Sequence, residues 1–312
     1  MEFSDALIQG DLDAVRSFPK ADLHNHFVLG GSREFLCAHS GKYIQPLKAP
    51  IHSMDEMHAW NSRNLGSDFE TTEGHRLLIR AAFAQAKRDG VTILEIGEDV
   101  WGLDAFFHGN IEELVTAFEA AQQEIAPDIE LRRLIGLSRH CDISYLEECL
   151  SHFWGCKSFC SIDLYGDESA QPIENFKSIY RRAKSEGLRL KAHVGEWGTA
   201  DDVRRAVECL ELDEVQHGIA AAGDVSVMRF LADNHIRLNI TPSSNYLLGR
   251  VHDLAAHPIA TLYRSGIDVT INSDDVLIFD SDVSKEYLRL YQCGCLCAEE
   301  LDDIRQNGLK PI

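Results

Sequence analysis

Short β-prone runs alternate with amphipathic stretches of helical length along almost the whole chain, and few folds accommodate that rhythm. A first stretch from Pro19 to His26 is followed by β-prone runs at 91–96, 131–137, 159–164, 188–193, 214–217, 236–240 and 267–271. Between them, 70–88, 112–124, 145–153, 173–186, 200–210, 224–233 and 254–265 are of helical length; in the first, Leu77, Leu78, Ala81, Ala82, Ala84 and Ala86 mark an apolar face. Gly90, Gly187 and Gly266 stand just past three of these stretches, where a helix ends on a left-handed residue. Alternation sustained this long predicts an α/β chain built on a parallel sheet. No Gly-x-Gly-x-x-Gly follows the first strand, which disfavours a doubly wound nucleotide-binding sheet. Chemistry-bearing side chains at the ends of strands one, five, six and eight favour a closed (β/α)8 TIM barrel, because one face of such a barrel gathers them.

Nothing resembling a linker, repeat or low-complexity tract divides the 312 residues. One domain is expected over 1–312, with a barrel core at about 18–280, C-terminal helices at about 281–312 and extra helices over the barrel mouth. The least periodic stretch, 42–67, holds Pro46, Pro50 and Trp60 and reads as an excursion over that mouth.

The polar residues at the strand ends share one vocabulary. His24 and His26 are two apart, so on an extended backbone both imidazoles point to one side. His193-Val194-Gly195-Glu196, Gln216-His217-Gly218 and Asn272-Ser273-Asp274-Asp275 supply more imidazoles and carboxylates. Three nitrogens and an oxygen from His24, His26, His193 and Asp274 suit Zn²⁺ or a similar divalent ion with a position left open. Gly195 lets the chain turn at once, which would place the Glu196 carboxylate over the cavity. His217 is a further imidazole that could take a proton. Asp274 and Asp275 are expected on opposite sides of an extended backbone, one toward a metal and one toward a substrate. Each residue also has a plain structural reading, as a hydrogen-bonded histidine, a helix-terminal acid or an N-cap; the joint placement carries the signal.

A formal charge of -20 argues against nucleic-acid or anionic-membrane partners. No apolar run reaches the roughly 18 residues of a membrane span, and no secretory signal is visible after Met1. Nine cysteines, an odd count, fit reduced thiols and a cytoplasmic location. Cys293-Gly294-Cys295-Leu296-Cys297 lacks the usual zinc-knuckle gap and is expected inside a helix, without a metal role. Cys156 and Cys160 read as small core or near-core residues.

The ordered motifs Pro19-Lys20-Ala21-Asp22-Leu23-His24-Asn25-His26, Ser161-Ile162-Asp163-Leu164-Tyr165-Gly166-Asp167-Glu168, Lys191-Ala192-His193-Val194-Gly195-Glu196, Gln216-His217-Gly218, Thr241-Pro242-Ser243-Ser244-Asn245 and Asn272-Ser273-Asp274-Asp275 resemble those of the adenosine/adenine deaminase family of metal-dependent amidohydrolases. The resemblance implies a (β/α)8 barrel with one zinc, or another divalent transition metal, per subunit. It implies His24, His26, His193 and Asp274 as ligands, with Asp274 also catalytic and His26 also a substrate contact. Glu196 becomes the acid that protonates a purine ring nitrogen, His217 the group that activates water, and Asp275 and Gly166 contacts to the purine ring. Such chemistry is coherent: an exocyclic amine leaves poorly, so a metal-activated water and a protonated carboxyl are both needed. The implied substrate is a small 6-aminopurine, adenosine or a related nucleoside first; the alternatives are free adenine, a modified adenine, or another metal-dependent amidohydrolase or phosphoesterase reaction on the same barrel.

Four departures concern the substrate end. Family members follow the second histidine with Leu-x-Gly, often with an acid at x that contacts the sugar; here Phe27-Val28-Leu29-Gly30-Gly31 is longer and has no carboxylate. Val194 replaces a usual alanine, Val276 a usual proline, and Ile96-Gly97-Glu98-Asp99 an arginine-containing segment. A phosphoesterase of the same barrel would close with Asp-x-His, which Asp274-Asp275-Val276 does not, and a cytidine-type deaminase would need Pro-Cys-x-x-Cys. A silent, purine-binding barrel would be expected to have lost one of the ligands, the acid or the base.

Overall fold

The computed structural model describes residues 2–310, so the outermost positions of the 1–312 domain and of the 281–312 C-terminal region lie outside the described residues. Eight parallel strands are hydrogen-bonded in sequence order: β1 (Lys20–Asp22), β2 (Val91–Asp99), β3 (Glu130–Ser138), β4 (Ser161–Tyr165), β5 (Arg189–Val194), β6 (Glu214–His217), β7 (Arg237–Ile240) and β8 (Val269–Ile271). β8 returns to β1 through the single parallel bridge Asn25–Asp274, so the TIM barrel closes at the end that carries the polar motifs. The tie is reinforced by Asp22, which accepts from the Ser273 hydroxyl (2.5 Å), the Ser273 N–H (3.1 Å) and the Asn25 amide (3.2 Å).

Every expected strand is present, and the helices that follow form because their apolar stripes meet the outside of the sheet. Thr72–Arg88 buries Leu78, Ile79, Ala82 and Phe83, is capped by the Thr71 side chain, and gives way at Gly90, where φ is +71°. A side chain at Gly90 would also collide with the Arg16 carbonyl at 1.8 Å. The stretch 254–265 is broken into Leu254–Ala256 and Ile259–Arg264 around Pro258, which cannot supply an interior helical N–H.

Three expectations are corrected. β1 ends at Asp22, so His24 and His26 lie on its extension instead of within the strand. β2 runs on to Asp99, which carries Glu98 and Asp99 up to the mouth. The aperiodic stretch 42–67 does form the expected excursion over the mouth, as the helix Met54–Asn64 capped by Ser53; its weak pattern reflects burial of Trp60 alone. Cys293–Cys297 is not helical: Cys293 closes Val283–Gln292, Gly294 turns at φ +76°, and Cys297 precedes Ala298–Leu309. All nine cysteines are free thiols.

The helix Ala298–Leu309 covers the barrel end opposite the motifs. Arg305 donates to the Pro19 carbonyl at 2.7 Å, and Leu309 packs on Ala21, Leu23 and Ile93. Inside the barrel, Lys191 is fully buried 2.8 Å from both Glu95 and Glu214. Burial opposes its charge, but the two carboxylates more than offset that and raise its pKa. Ser161 donates to Glu95 and Asn239 to Glu214, so both carboxylates of the ion-paired layer also accept hydrogen bonds. Among the described residues no helix is long and apolar enough to cross a membrane.

Candidate metal centre and active site

Immediately above that layer, the strand ends bring the histidines together. His24 Nε2 lies 3.0 Å from His193 Nε2, and His26 Nε2 lies 3.2 Å from the same nitrogen. Asp274 Oδ1 stands 3.9 Å from His24 Nε2 and 3.6 Å from His26 Nε2. Donors held 2.0–2.1 Å from a tetrahedral cation are about 3.3–3.4 Å apart, so these edges have the right scale.

The proton positions argue for a cation more strongly than the distances do. His24 Nδ1 faces the Asn239 carbonyl at 3.0 Å, an acceptor, so its proton is on Nδ1. His193 Nδ1 faces Asp163 Oδ1 at 3.3 Å and is fixed the same way. With both rings neutral, as metal ligation requires, two Nε2 lone pairs confront each other at 3.0 Å, a repulsion that a shared cation removes; without a cation, burial is more than offset by Asp163, which raises the His193 pKa. Burial first, against the pull of Asp274, takes the His24 pKa down to about 3, which keeps the ring neutral. Burial alone would raise Asp163, but the charge and hydrogen bond of His193 bring it down to about 2.

His217, at the end of β6, and Asp274 both adopt left-handed backbone conformations, φ +64° and +59°. Such conformations are uncommon for residues with side chains and cluster at functional sites. The turn at Asp274 corrects the expectation of an extended Asp274-Asp275 pair: both carboxylates face the same cavity, with donor atoms close enough to His26 to form one group. Asp275 Oδ1 is buried without a hydrogen-bond partner among the described residues. Burial, then Asp274 and Glu196, holds the Asp275 pKa well above the ordinary carboxylate range.

The tautomer of His217 follows from Thr241. The threonine hydroxyl reaches Asp274 Oδ2 at 3.3 Å and His217 Nδ1 at 3.0 Å; donating to the carboxylate, it accepts from Nδ1, and this shorter contact outweighs Asn245 Nδ2, a donor 3.3 Å from the same nitrogen. His217 then carries its lone pair on Nε2. Burial, followed by His24, His193 and His26, pushes its pKa well below the usual value, so the ring is neutral. His217 also falls within a grouping with His24 and Asp274 that could share an ion.

Glu196 is set by its loop. Glu168 accepts the N–H groups of Gly195 (2.8 Å), Glu196 (2.9 Å) and Trp197 (2.8 Å), a three-donor grip on the backbone just past β5. Gly195 has φ +74°, and a side chain there would strike Val203 at 2.3 Å. Glu196 Oε1 accepts from Asn245 Nδ2 at 2.9 Å and lies 3.5 Å from His217 Nδ1. Burial foremost, then the charges of Asp274 and Glu168, raises its pKa to about 8. A carboxyl that keeps its proton near neutral pH is equipped to act as an acid.

All the sequence-derived residues line or border one cavity of ≈ 380 Å³; Gly166, with φ +95°, and Asp275 are on its wall. Phe27, Val28 and Leu29 form an apolar side, in a turn closed by hydrogen bonds from Leu29 and Gly30 to the His26 carbonyl. The outer side is the helix Met54–Asn64, whose Met54, Met57, His58 and Asn61 fall at helical spacing on the cavity face. Sequence reasoning missed Asn239 and His75; it quoted Asp163, Glu168 and Thr241 within motifs and Glu98-Asp99 as a departure at the substrate end, but gave none of them a role. His75 Nδ1 is 2.9 Å from Glu98, and Asp99 accepts from the Ser138 hydroxyl. Polar residues at every second position, as in Ser161, Asp163 and Tyr165, were the available signal for the inward face.

Known proteins match this arrangement. The sequence model of a family described as adenosine deaminase matches residues 19–311. A Treponema pallidum protein assigned by name as an adenosine/adenine deaminase is 32% identical over 285 residues, covering 91% of this chain and 95% of that protein. An adenine deaminase of Rhodospirillum rubrum is 31% identical over 314 residues, covering 95% and 92%. The crystal structure of a Burkholderia ambifaria amidohydrolase with bound Zn superposes with a TM-score of 0.79 at 18% identity, over 96% of this chain and 87% of that one, a likeness of fold.

Proposed function

The chain belongs to the adenosine deaminase family, hydrolases of C–N bonds, and from that premise we propose that it deaminates an uncharged 6-aminopurine to the 6-oxo compound and ammonia. Deaminases on this fold hold a divalent metal; His24, His26, His193 and Asp274 are the residues that would hold it here, with Zn²⁺ first among the candidates. When bound, the cation lowers the pKa of water and so supplies a nucleophile at neutral pH.

The observation that carries the reading is a buried carboxyl and a buried imidazole set side by side at the edge of the imidazole cluster. Glu196 is a neutral acid and His217 a neutral base, 3.5 Å apart at closest approach beside the converging imidazoles. His217 Nε2 takes the proton of the attacking water. Glu196 gives its proton to the ring nitrogen beside the attacked carbon, which breaks aromaticity and opens that carbon to addition. Asp275, kept protonated by burial and its acidic neighbours, donates to an acceptor nitrogen on the far ring. Gly166 lets the backbone approach the ring plane.

Adenosine is the first substrate proposed, because the cavity continues beyond the imidazole cluster to the helix Met54–Asn64. Adenine is the second, favoured by the apolar Phe27, Val28 and Leu29 where the family's sugar-contacting acid is absent, and by the name of the Rhodospirillum rubrum relative. The cavity wall contains no Lys or Arg, which disfavours a phosphorylated substrate. The test is metal-loaded protein assayed by ultraviolet absorbance on adenosine, deoxyadenosine, adenine and N6-substituted adenines. Turnover of none of them would refute the proposal; the ratio of adenosine to adenine activity decides between the two readings.

A further inference from the structure

We propose that Asn245 and His257 form a one-way hydrogen-bond relay that determines which oxygen of the Glu196 carboxyl is presented to the cavity. The inference rests on Glu196 as the proton donor, and neither relay residue reaches the cavity wall. Both are buried: Asn245 just after β7, and His257 beside Pro258 at the start of Ile259–Arg264.

The direction begins at a backbone group. The Ile259 N–H has no helical carbonyl to bond, and it donates to His257 Nδ1 at 3.1 Å. Nδ1 is therefore the acceptor of that ring. Burial takes the His257 pKa down to about 3, so the ring is neutral and its one proton is on Nε2. Nε2 lies 3.3 Å from Asn245 Oδ1 and donates to it. That orients the amide, since a flipped Asn245 would set Nδ2 against the Nε2–H, donor against donor. With Oδ1 committed to His257, Nδ2 faces Glu196 Oε1 at 2.9 Å, its shorter contact, and His217 Nδ1 at 3.3 Å.

A neutral carboxyl has one O–H oxygen and one carbonyl oxygen. The donor at Oε1 makes Oε1 the carbonyl oxygen, so the O–H belongs to Oε2. Among the described residues none hydrogen-bonds Oε2, and Glu196 lines the cavity. The relay thus turns the acidic proton toward the substrate. Without it either oxygen could hold the proton, and the Oε1–H form would point into the protein beside His217. Asn245 and His257 act through Glu196 and are positioning residues.

Three substitutions and one spectrum test this. Gln at 257 can place an N–H where Nε2 was, while Asn places one where Nδ1 was. His257→Gln should keep kcat within about 2-fold, and His257→Asn should lower it about 5-fold, the worth of one hydrogen bond. Asn245→Ala should lower kcat about 10-fold or more, with KM changed less than about 2-fold. In Asn245→Ala, the further change His257→Asn should add nothing, because the relay is already cut. Nitrogen-15 spectra of the metal-loaded wild type should show His257 as the Nε2–H tautomer. That measurement needs no turnover, so an inactive wild type would refute the deaminase reading while the spectrum still judged the relay. An Nδ1–H tautomer at His257, equal kcat in the two His257 variants, or multiplying effects in the double variant would overturn the proposal.

Discussion

Replacing Glu196 by Gln should destroy catalysis and, in the metal-free protein, increase stability, with the second effect growing as pH rises. Gln is isosteric: its Oε1 still accepts from Asn245, and its nitrogen takes the place of Oε2. What disappears is the proton. An ordinary glutamate near 4.5 is protonated in about one chain in 300 at pH 7, whereas a pKa of about 8 makes that about nine in ten. Loss of a positioned general acid costs about 10²–10⁴-fold in rate. The stability effect follows from linkage. The folded pKa lies above the unfolded one, so the wild type loses stability as pH rises from about 4.5 through about 8, and Gln has no proton to lose. The difference should grow by about 1.4 kcal/mol per pH unit in that window, or roughly 3 kcal/mol between pH 5.5 and 7.5. Urea unfolding of chelator-treated wild type and Glu196→Gln at several pH values measures it, alongside turnover and metal content of the loaded proteins. A variant that keeps its metal but retains more than a tenth of the activity would remove Glu196 from the acid role. A pH-independent stability difference would show that the carboxyl is not held protonated.

Asp163→Asn should weaken metal binding about 10–100-fold by loosening the orientation of His193, as read by competition with a chromophoric chelator; unchanged affinity would separate Asp163 from that task. His217→Gln should lower kcat about 10²–10⁴-fold while one cation per chain remains, and loss of the cation as well would make His217 a ligand. Chelation should abolish activity and lower the thermal midpoint, because a ligand that binds only the folded chain stabilises it; Zn²⁺ at about 1,000 times its Kd should return roughly 4 kcal/mol, and an unmoved midpoint would count against a metal at these residues. Lys191→Met should destabilise the fold by roughly 3–5 kcal/mol in urea, since Glu95 and Glu214 would be left buried without their cation; a change under about 1 kcal/mol would refute that.

The strand–helix rhythm was legible in the chain because burying one stripe of each helix on a fully covered parallel sheet imposes its period on the residues. His24, His26, His193, Glu196, His217, Asp274 and Asp275 were legible for a related reason: a barrel puts its chemistry at strand ends, and strand ends can be recognised locally. The helix Met54–Asn64 was legible only as an excursion over the mouth and not in its bounds, because only Trp60 is buried and little apolar periodicity results. Nor was the turn at Asp274 that sends two adjacent carboxylates into one cavity, which depends on the Asn25–Asp274 bridge and the Asp22–Ser273 bonds closing the barrel. Proton positions were further still from view. Which nitrogen of His24, His193, His217 and His257 bears hydrogen is set by Asn239, Asp163, Thr241 and Ile259, each distant in sequence or reached through the backbone. Residue types and their spacing are local properties, so the chain alone identifies a metal-and-acid vocabulary and the barrel that would hold it. Protonation, tautomer and cavity shape arise from burial and from partners on other strands, and they come into being only when the barrel closes.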